Sequence, residues 1–287
     1  MSAFLGTFAV LTALFAFVSA LERVPAWQCL PQPFRRPWFA TDVAWYVVTA
    51  LAAGLLTFVF RPVLVQLALP GLSPLVANLP VTIRFLLAVL VFDLIAFSVH
   101  VAVHRSDTLW QFHKVHHSSR RLDALATTRT QPFELLIRNV PAQLALFALG
   151  VPADLVAVVV VVFGGFGALN HSNLRVPIRP AEWLFITPRL HRLHHVPATC
   201  QHNFATIFSF WDRAAGRLLR GDADPSEPLG VPGEIESFPQ PFARAFREPV
   251  RQLVESHRSE RSDPSSAPGH VAPASGGWFS ASSRTRG

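Results

Sequence analysis

The chain has 287 residues, 51% of them hydrophobic and only 15% charged, and its mean hydropathy is +0.34. A soluble domain carries about 25% charged residues, so this composition argues against an ordinary soluble globule and for a membrane protein. The net charge of +7 is uneven: residues 222–287 hold seven Arg against nine acidic residues, leaving +9 on residues 1–221.

Much of that excess (Arg35, Arg36, Arg105, Lys114, Arg120, Arg121, Arg189 and Arg192) flanks apolar segments. Basic residues so placed suit anionic lipid head groups on the cytoplasmic side rather than nucleic acid. Cys29 and Cys200 form no CxxC pair and no disulfide framework.

In chain order, Met1–Leu21 has no charged side chain and is long enough to span a bilayer. Because no Lys or Arg precedes the apolar run, it reads as a retained helix rather than a cleaved leader. Residues 43–60 predict a second span, ended by Arg61 and Pro62. Residues 63–81, broken by Pro70, Gly71 and Pro74, predict a loop with an interfacial piece. Residues 83–103 predict a third span, with the ionisable Asp93 inside it, and such a residue at membrane depth is a functional candidate.

Residues 133–149 and 153–169 flank Gly150-Val151-Pro152 and predict a helical hairpin that dips in and returns to one face. The positive-inside rule then puts the segments after the third span in the cytoplasm. Beyond Gly221 the chain turns to Pro, Ser, Gly and charge, with a short helix expected near 249–257 and disorder beyond Glu260. Three regions result: 1–82, transmembrane helices and loops; 83–221, the histidine-bearing domain; and 222–287, a mostly disordered tail. The fold class expected is an all-α membrane bundle of about three spans plus the hairpin, with a cytoplasmic histidine-rich helical metal-binding cap.

Ten of the twelve histidines lie between positions 100 and 202. They form three groups, His100/His104, His113/His116/His117 and His191/His194/His195, with His171 and His202 as singletons. Spacings of three and four residues put side chains on one helix face, and neutral imidazole is the commonest protein ligand for transition metals. Eight imidazoles in three groups exceed the needs of one tetrahedral ion and imply two metals. Nitrogen-rich sites with open positions suit iron and oxygen chemistry, although zinc and copper also accept imidazole.

The stretch Asp93…His100-xxx-His104, Leu109-Trp110-Gln-Phe-His113-Lys-Val-His116-His117-Ser118 resembles the fatty acid hydroxylase/sterol desaturase superfamily of integral membrane di-iron enzymes. The resemblance continues through Arg129-Thr-Gln-Pro132-Phe-Glu134, Asn170-His171-Ser172, Thr187-Pro188-Arg-Leu-His191-Arg-Leu-His194-His195 and Asn203-Phe204…Trp211-Asp212-Arg213. Three positions depart from the family pattern: Val101 stands where Arg is usual, Gln131 where His is usual before Pro, and Asn203-Phe-Ala replaces Asn-Tyr-Gly.

The resemblance implies two iron ions held by His100, His104, His113, His116, His117, His171, His191, His194 and His195, with His202 a substitute for the histidine missing at Gln131. It implies O₂ as co-substrate and hydroxylation or desaturation of a lipid. An external ferredoxin or cytochrome b5-like donor would supply electrons. Asp93, Asp123, Glu134 and Asp212 are the acids expected to orient imidazoles, with Arg129 and Asn203 as polar anchors. Two other readings remain: a bis-histidine membrane electron carrier, and a metal-binding relative without activity.

Overall fold

The computed structural model describes residues 2–262 except 34, 65, 67–68, 70–71, 177, 222–223 and 225–226. No strand is present among the described residues, only isolated bridges at Gln28–Leu174 and Phe185–Phe208. The helices are α1 (Ser2–Leu21), α2 (Phe39–Leu64), α3 (Ser73–Ala77), α4 (Val81–Arg105), α5 (Asp107–His117), α6 (Pro132–Ala148), α7 (Ala153–His171), α8 (Pro188–His195), α9 (Ser209–Ala214) and α10 (Phe242–Ser262).

Three helical stretches are long and apolar enough to cross a bilayer: Phe39–Phe60, Val81–Arg105 and Ala153–His171. The first two coincide with spans expected from the sequence, and α1, expected as another, has its described apolar stretch at Gly6–Leu21. Helix α7, expected as half of a shallow hairpin, is long enough on its own, while its partner α6 has 17 residues and contains Pro141. Outward-facing Leu51 and Phe58 of α2 are 70% and 81% exposed, which in an aqueous protein would be an unusual apolar surface and in a bilayer is the natural one.

The apolar core lies where α4, α6 and α7 meet, around Ala88, Val89, Phe92, Ala142, Leu146, Val156 and Val159. Helix α1 packs along α7. Gly164 allows that approach, since a Cβ there would stand 2.7 Å from Leu11 Cδ2. The α6–α7 turn uses Gly150 at φ +76°, with the chain at Ser73 pressed against it.

On the side where α4 ends, a second layer is built from α5, the 3-10 turn Ala124–Thr128, α8, α9 and α10. Buried ion pairs lock it to the start of α2. Arg36 donates to both oxygens of Asp123 at 2.6 and 2.7 Å and pairs with Asp42 at 2.6 Å, and Asp42 also accepts from Arg129.

Part of the 222–287 region, expected as a mostly disordered tail, is instead built into the fold. Val231, Phe238 and Ala245 are buried with Trp45 and Val115, and the helix expected near 249–257 extends over Phe242–Ser262 on α5. These apolar side chains are too sparse to give a periodic signal, yet they fill one contiguous cluster. Residues 263–287 lie outside the described residues.

Candidate metal centre

The helices that carry the histidines start from local capping chemistry. Ser106 caps α5, its hydroxyl accepting the Leu109 N–H, and Asp107 stands in the first turn. Thr187 caps α8 in the same way and Pro188 opens the helix. Each cap fixes where the helix begins, and so which face holds residues i, i+3 and i+4. His100 and His104 come from the last turns of α4 and His171 from the last residue of α7.

Nine histidines converge in two adjoining groups, all buried. His100, His104, His113, His117 and His194 form one, and His116, His171, His191 and His195 the other; within each group the ligand atoms lie within 4.8 Å of one another. The groups touch through His117 and His195, whose rings are stacked with centroids 4.5 Å apart. Successive histidines of one α5 box therefore serve different groups: His113 and His117 face the first, His116 the second.

Four rings have Nδ1 beside an oxygen that accepts its proton. These are His100 with Phe204 O (2.7 Å), His113 with Glu134 Oε1 (2.6 Å), His171 with Gly167 O (2.8 Å) and His194 with His202 O (2.8 Å). A neutral imidazole has one N–H, so in these rings Nε2 keeps its lone pair. Yet the Nε2 atoms crowd together. His171 to His191 and His171 to His195 are 3.1 Å, His191 to His195 is 3.2 Å, and His100 to His113 and His116 to His171 are 3.0 Å. Hydrogens alone cannot satisfy so many facing lone pairs, and buried ring nitrogens of His104, His117 and His194 have no protein partner.

A cation between the rings resolves both problems. At a metal–nitrogen distance of about 2.1 Å, two ligands at a right angle stand about 3.0 Å apart and at the tetrahedral angle about 3.4 Å. The observed 3.0–3.2 Å falls between these two values, so the donor sets fit a bound transition-metal ion. Burial, the largest influence, holds His113, His116, His117, His191, His194 and His195 below the ordinary imidazole range, so each is neutral and ready to ligate at neutral pH.

The remaining residues singled out from sequence fall into distinct places. Glu134 is the one acid among them bonded to an imidazole; its Oε1 also accepts from Arg138 at 3.3 Å. Asp212 instead accepts the N–H groups of Phe204 and Ala205 (2.8 and 2.9 Å), and Asp93 those of Ile207 and Phe208 (3.0 and 2.9 Å). These two acids hold the 204–208 strip, whose Phe204 carbonyl orients His100, and so act one step back from the rings. Burial, and next the N–H bonds that oppose it, leave the Asp212 carboxyl at about 7.

Asp123 binds Arg36 and caps the Ala124 turn, and Arg129 binds Asp42, Ser118 and Gln240; neither reaches the histidines. Asn203 adopts φ +58° and ties Leu190 of α8 to Leu219 through its amide. The His202 ring joins neither group; its backbone carbonyl serves His194 instead. Gln131 donates to the Phe246 carbonyl, away from the rings. Cys200 is buried outside both groups.

Two aromatic walls were not singled out as functional from sequence. Trp110 lies 4.8 Å from His104 and 5.3 Å from His117 by ring centroids, and Phe204 lies 5.0–5.3 Å from His100, His104 and His194. Trp110 was accessible to sequence reasoning, since it precedes His113 by three residues on the same helix face.

Residues 85–217 match the family model for fatty acid hydroxylase. Over 178 residues the chain is 28% identical to the ornithine lipid hydroxylase OlsE of Rhizobium tropici, covering 60% of this chain and 54% of that protein. It is 33% identical over 135 residues to an alkylglycerol monooxygenase of Danio rerio, covering 45% of this chain and 29% of that one. With a cholesterol 25-hydroxylase of Rattus norvegicus it shares 28% identity over 219 residues, 74% of this chain and 70% of the relative. The chain thus spans about half the length of the first of these relatives and less than a third of the second. No solved structure matches it significantly.

Proposed function

We propose that the chain, whose residues 85–217 match the fatty acid hydroxylase family model, is a membrane-bound di-iron oxygenase that hydroxylates a lipid. The observation that carries this reading is the pair of adjoining buried imidazole groups, five and four, each with nitrogens at ligand-sharing distance. The first group would hold one iron through His100, His104, His113, His117 and His194, and the second the other through His116, His171, His191 and His195. Iron held there would supply the redox chemistry needed for O₂ activation and hydroxylation of an unactivated C–H bond.

The chain's own residues supply orientation and dryness. Glu134 holds the Nδ1 proton of His113 and fixes that ring's tautomer; the carbonyls of Phe204, Gly167 and His202 do the same for His100, His171 and His194. Phe204 and Trp110 wall the first group with apolar surface that excludes water. Because His100, His104 and His171 sit at the ends of α4 and α7, the centre is set where those helices leave the bilayer, within reach of a lipid that stays in its leaflet. The charge bias supports a cytoplasmic placement of this face. A ferredoxin or cytochrome b5-like protein would deliver electrons there.

The relatives are named for ornithine lipid, alkylglycerol and cholesterol. What those names share is a membrane lipid and insertion of oxygen, which favours hydroxylation over desaturation. The electron-carrier reading needs a porphyrin between two histidines, and imidazole nitrogens 3.0–3.2 Å apart leave no room for one.

Lipid profiles of a host with and without the gene, grown under ¹⁸O₂, test the proposal. A lipid species carrying one ¹⁸O that depends on the gene supports it. Gene-dependent unsaturation without label moves the reading to desaturation, and no change with an iron-loaded protein and a competent donor leaves a metal-binding relative without activity.

A further inference from the structure

Helix α10 differs from the candidate spans in having three distinct faces. Ala245, Glu248 and Pro249 are buried, and the neighbouring Gln252 meets α5, where its Oε1 accepts from Lys114 Nζ; Glu234 accepts from the same Nζ at 2.7 Å. A second face, at three- and four-residue spacing, consists of Ala243, Phe246, Val250 and Val254, all turned outward; the last three are 37%, 56% and 45% exposed. A third face, next to it, carries the exposed Arg244, Arg247, Arg251 and Arg258.

The apolar face continues the surface of helices that enter the bilayer. Phe242 and Phe246 pack on Trp45 of α2, with ring centroids at 4.9 and 5.8 Å, and on α2 the exposed Val43, Val47 and Leu51 follow the lipid-facing side. The Phe246 carbonyl accepts from Gln131 at the start of α6, where Phe133 is 43% exposed. Four side chains fall far short of the roughly 800 Å² per partner that a stable protein–protein interface buries. An apolar face flanked by arginines is instead the composition of a helix lying in a membrane surface, and arginine is attracted to anionic lipid.

We propose that α10 is an in-plane helix whose Ala243–Phe246–Val250–Val254 face beds into the acyl boundary of the leaflet, with Arg247 and Arg258 at anionic head groups, so that it fastens the histidine helix α5 to the bilayer surface. The proposal rests on the reading of α2, α4 and α7 as spans and is independent of the reaction catalysed.

The test uses the full chain in vesicles of zwitterionic lipid with or without 30% anionic lipid. Cys29 and Cys200 are replaced by Ser, and single nitroxides are attached at Val250→Cys, Val254→Cys and, on the exposed charged side beside Arg251, Glu255→Cys. A cysteine-free background that no longer inserts is replaced by p-benzoyl-phenylalanine crosslinking to lipid at the same three positions. Collision with apolar O₂ relative to an aqueous nickel chelate is expected to be at least several-fold higher at 250 and 254 than at 255. Arg247→Glu/Arg258→Glu is expected to lower that ratio in the anionic vesicles. Equal aqueous access at all three positions overturns the proposal. So do labels at 250 and 254 that neither reagent reaches, which would mean that protein covers the face. With the crosslinker, lipid adducts at 250 and 254 but not 255 support it, and adducts to protein or none overturn it.

Discussion

Glu134 Oε1 stands 2.6 Å from His113 Nδ1, and the two side chains are fully buried. An acid at the start of α6, a membrane-directed helix, thereby fixes a ring on the histidine helix α5. A carboxylate behind a metal-binding histidine raises its basicity and sets which nitrogen faces the ion. Glu134→Ala should lower metal affinity about 10- to 100-fold, read by competition with a graded chelator, while Glu134→Gln, which keeps an acceptor oxygen, should lose less.

The rings themselves give a sharper contrast. His194→Ala removes a member of the five-histidine group, and His171→Ala a member of the four-histidine group whose Nε2 meets His116, His191 and His195. Each should lower the metal bound per chain. His202→Ala should leave it at the wild-type level, because the structure uses the carbonyl of that residue and not its ring. Metal analysis of the purified variants decides, and loss of metal in His202→Ala would mean that the ring moves into the site.

Asp212 holds the 204–205 backbone through two hydrogen bonds in a buried setting. Asp212→Ala strands both N–H groups and should cost about 3 kcal/mol, since each buried donor left unpaired costs about 1–3 kcal/mol. It should also loosen His100 through the Phe204 carbonyl. Thermal melts in detergent measure the first effect and metal retention on dilution the second.

How legible all this was in the sequence depended on the kind of signal. The histidine groups and their sharing of helix faces follow from spacing, and α4 from a long apolar run around the single acid Asp93. The role of Asp93 was not legible, because its partners, the backbone at Ile207 and Phe208, lie more than a hundred residues away. The division of α5 between two groups was likewise hidden: spacing says that His113, His116 and His117 face roughly one way, and only the packing of α4, α7 and α8 says which ring meets which. The ordered strap at 229–262 escaped for a different reason. Its composition is polar, and its few apolar residues are completed into a cluster only by the distant Trp45 and Val115.

Glu22 carries a pH dependence with a definite sign. Its Oε2 accepts the N–H groups of Ala124 and Asn173 at 3.1 and 3.0 Å, but burial, reinforced by Asp123, pushes the carboxyl up to about 7. A carboxyl raised in the folded state contributes stability that is fully present below its unfolded value and is lost as pH rises through about 7. The difference in stability between wild type and Glu22→Gln should therefore shift against the wild type by about 3 kcal/mol between pH 4 and 8. Paired denaturation series across that range measure it; parallel pH curves would contradict the assignment.

At the α6–α7 turn, Gly150→Ala drives a Cβ into Ser73 Cβ and to 2.9 Å from its Cα, at a φ of +76°. Strain of this kind costs about 1–3 kcal/mol, and the contact with backbone adds to it. A lowered melting temperature with the metal content per chain unchanged is the expected outcome.

The central claim is that two adjoining imidazole groups hold two irons. Iron counted per chain in protein purified anaerobically with iron supplied, together with its Mössbauer spectrum, tests that claim most directly. The account predicts two irons per chain, both in nitrogen-rich sites. One metal per chain, or full occupancy by zinc with iron excluded, would contradict it.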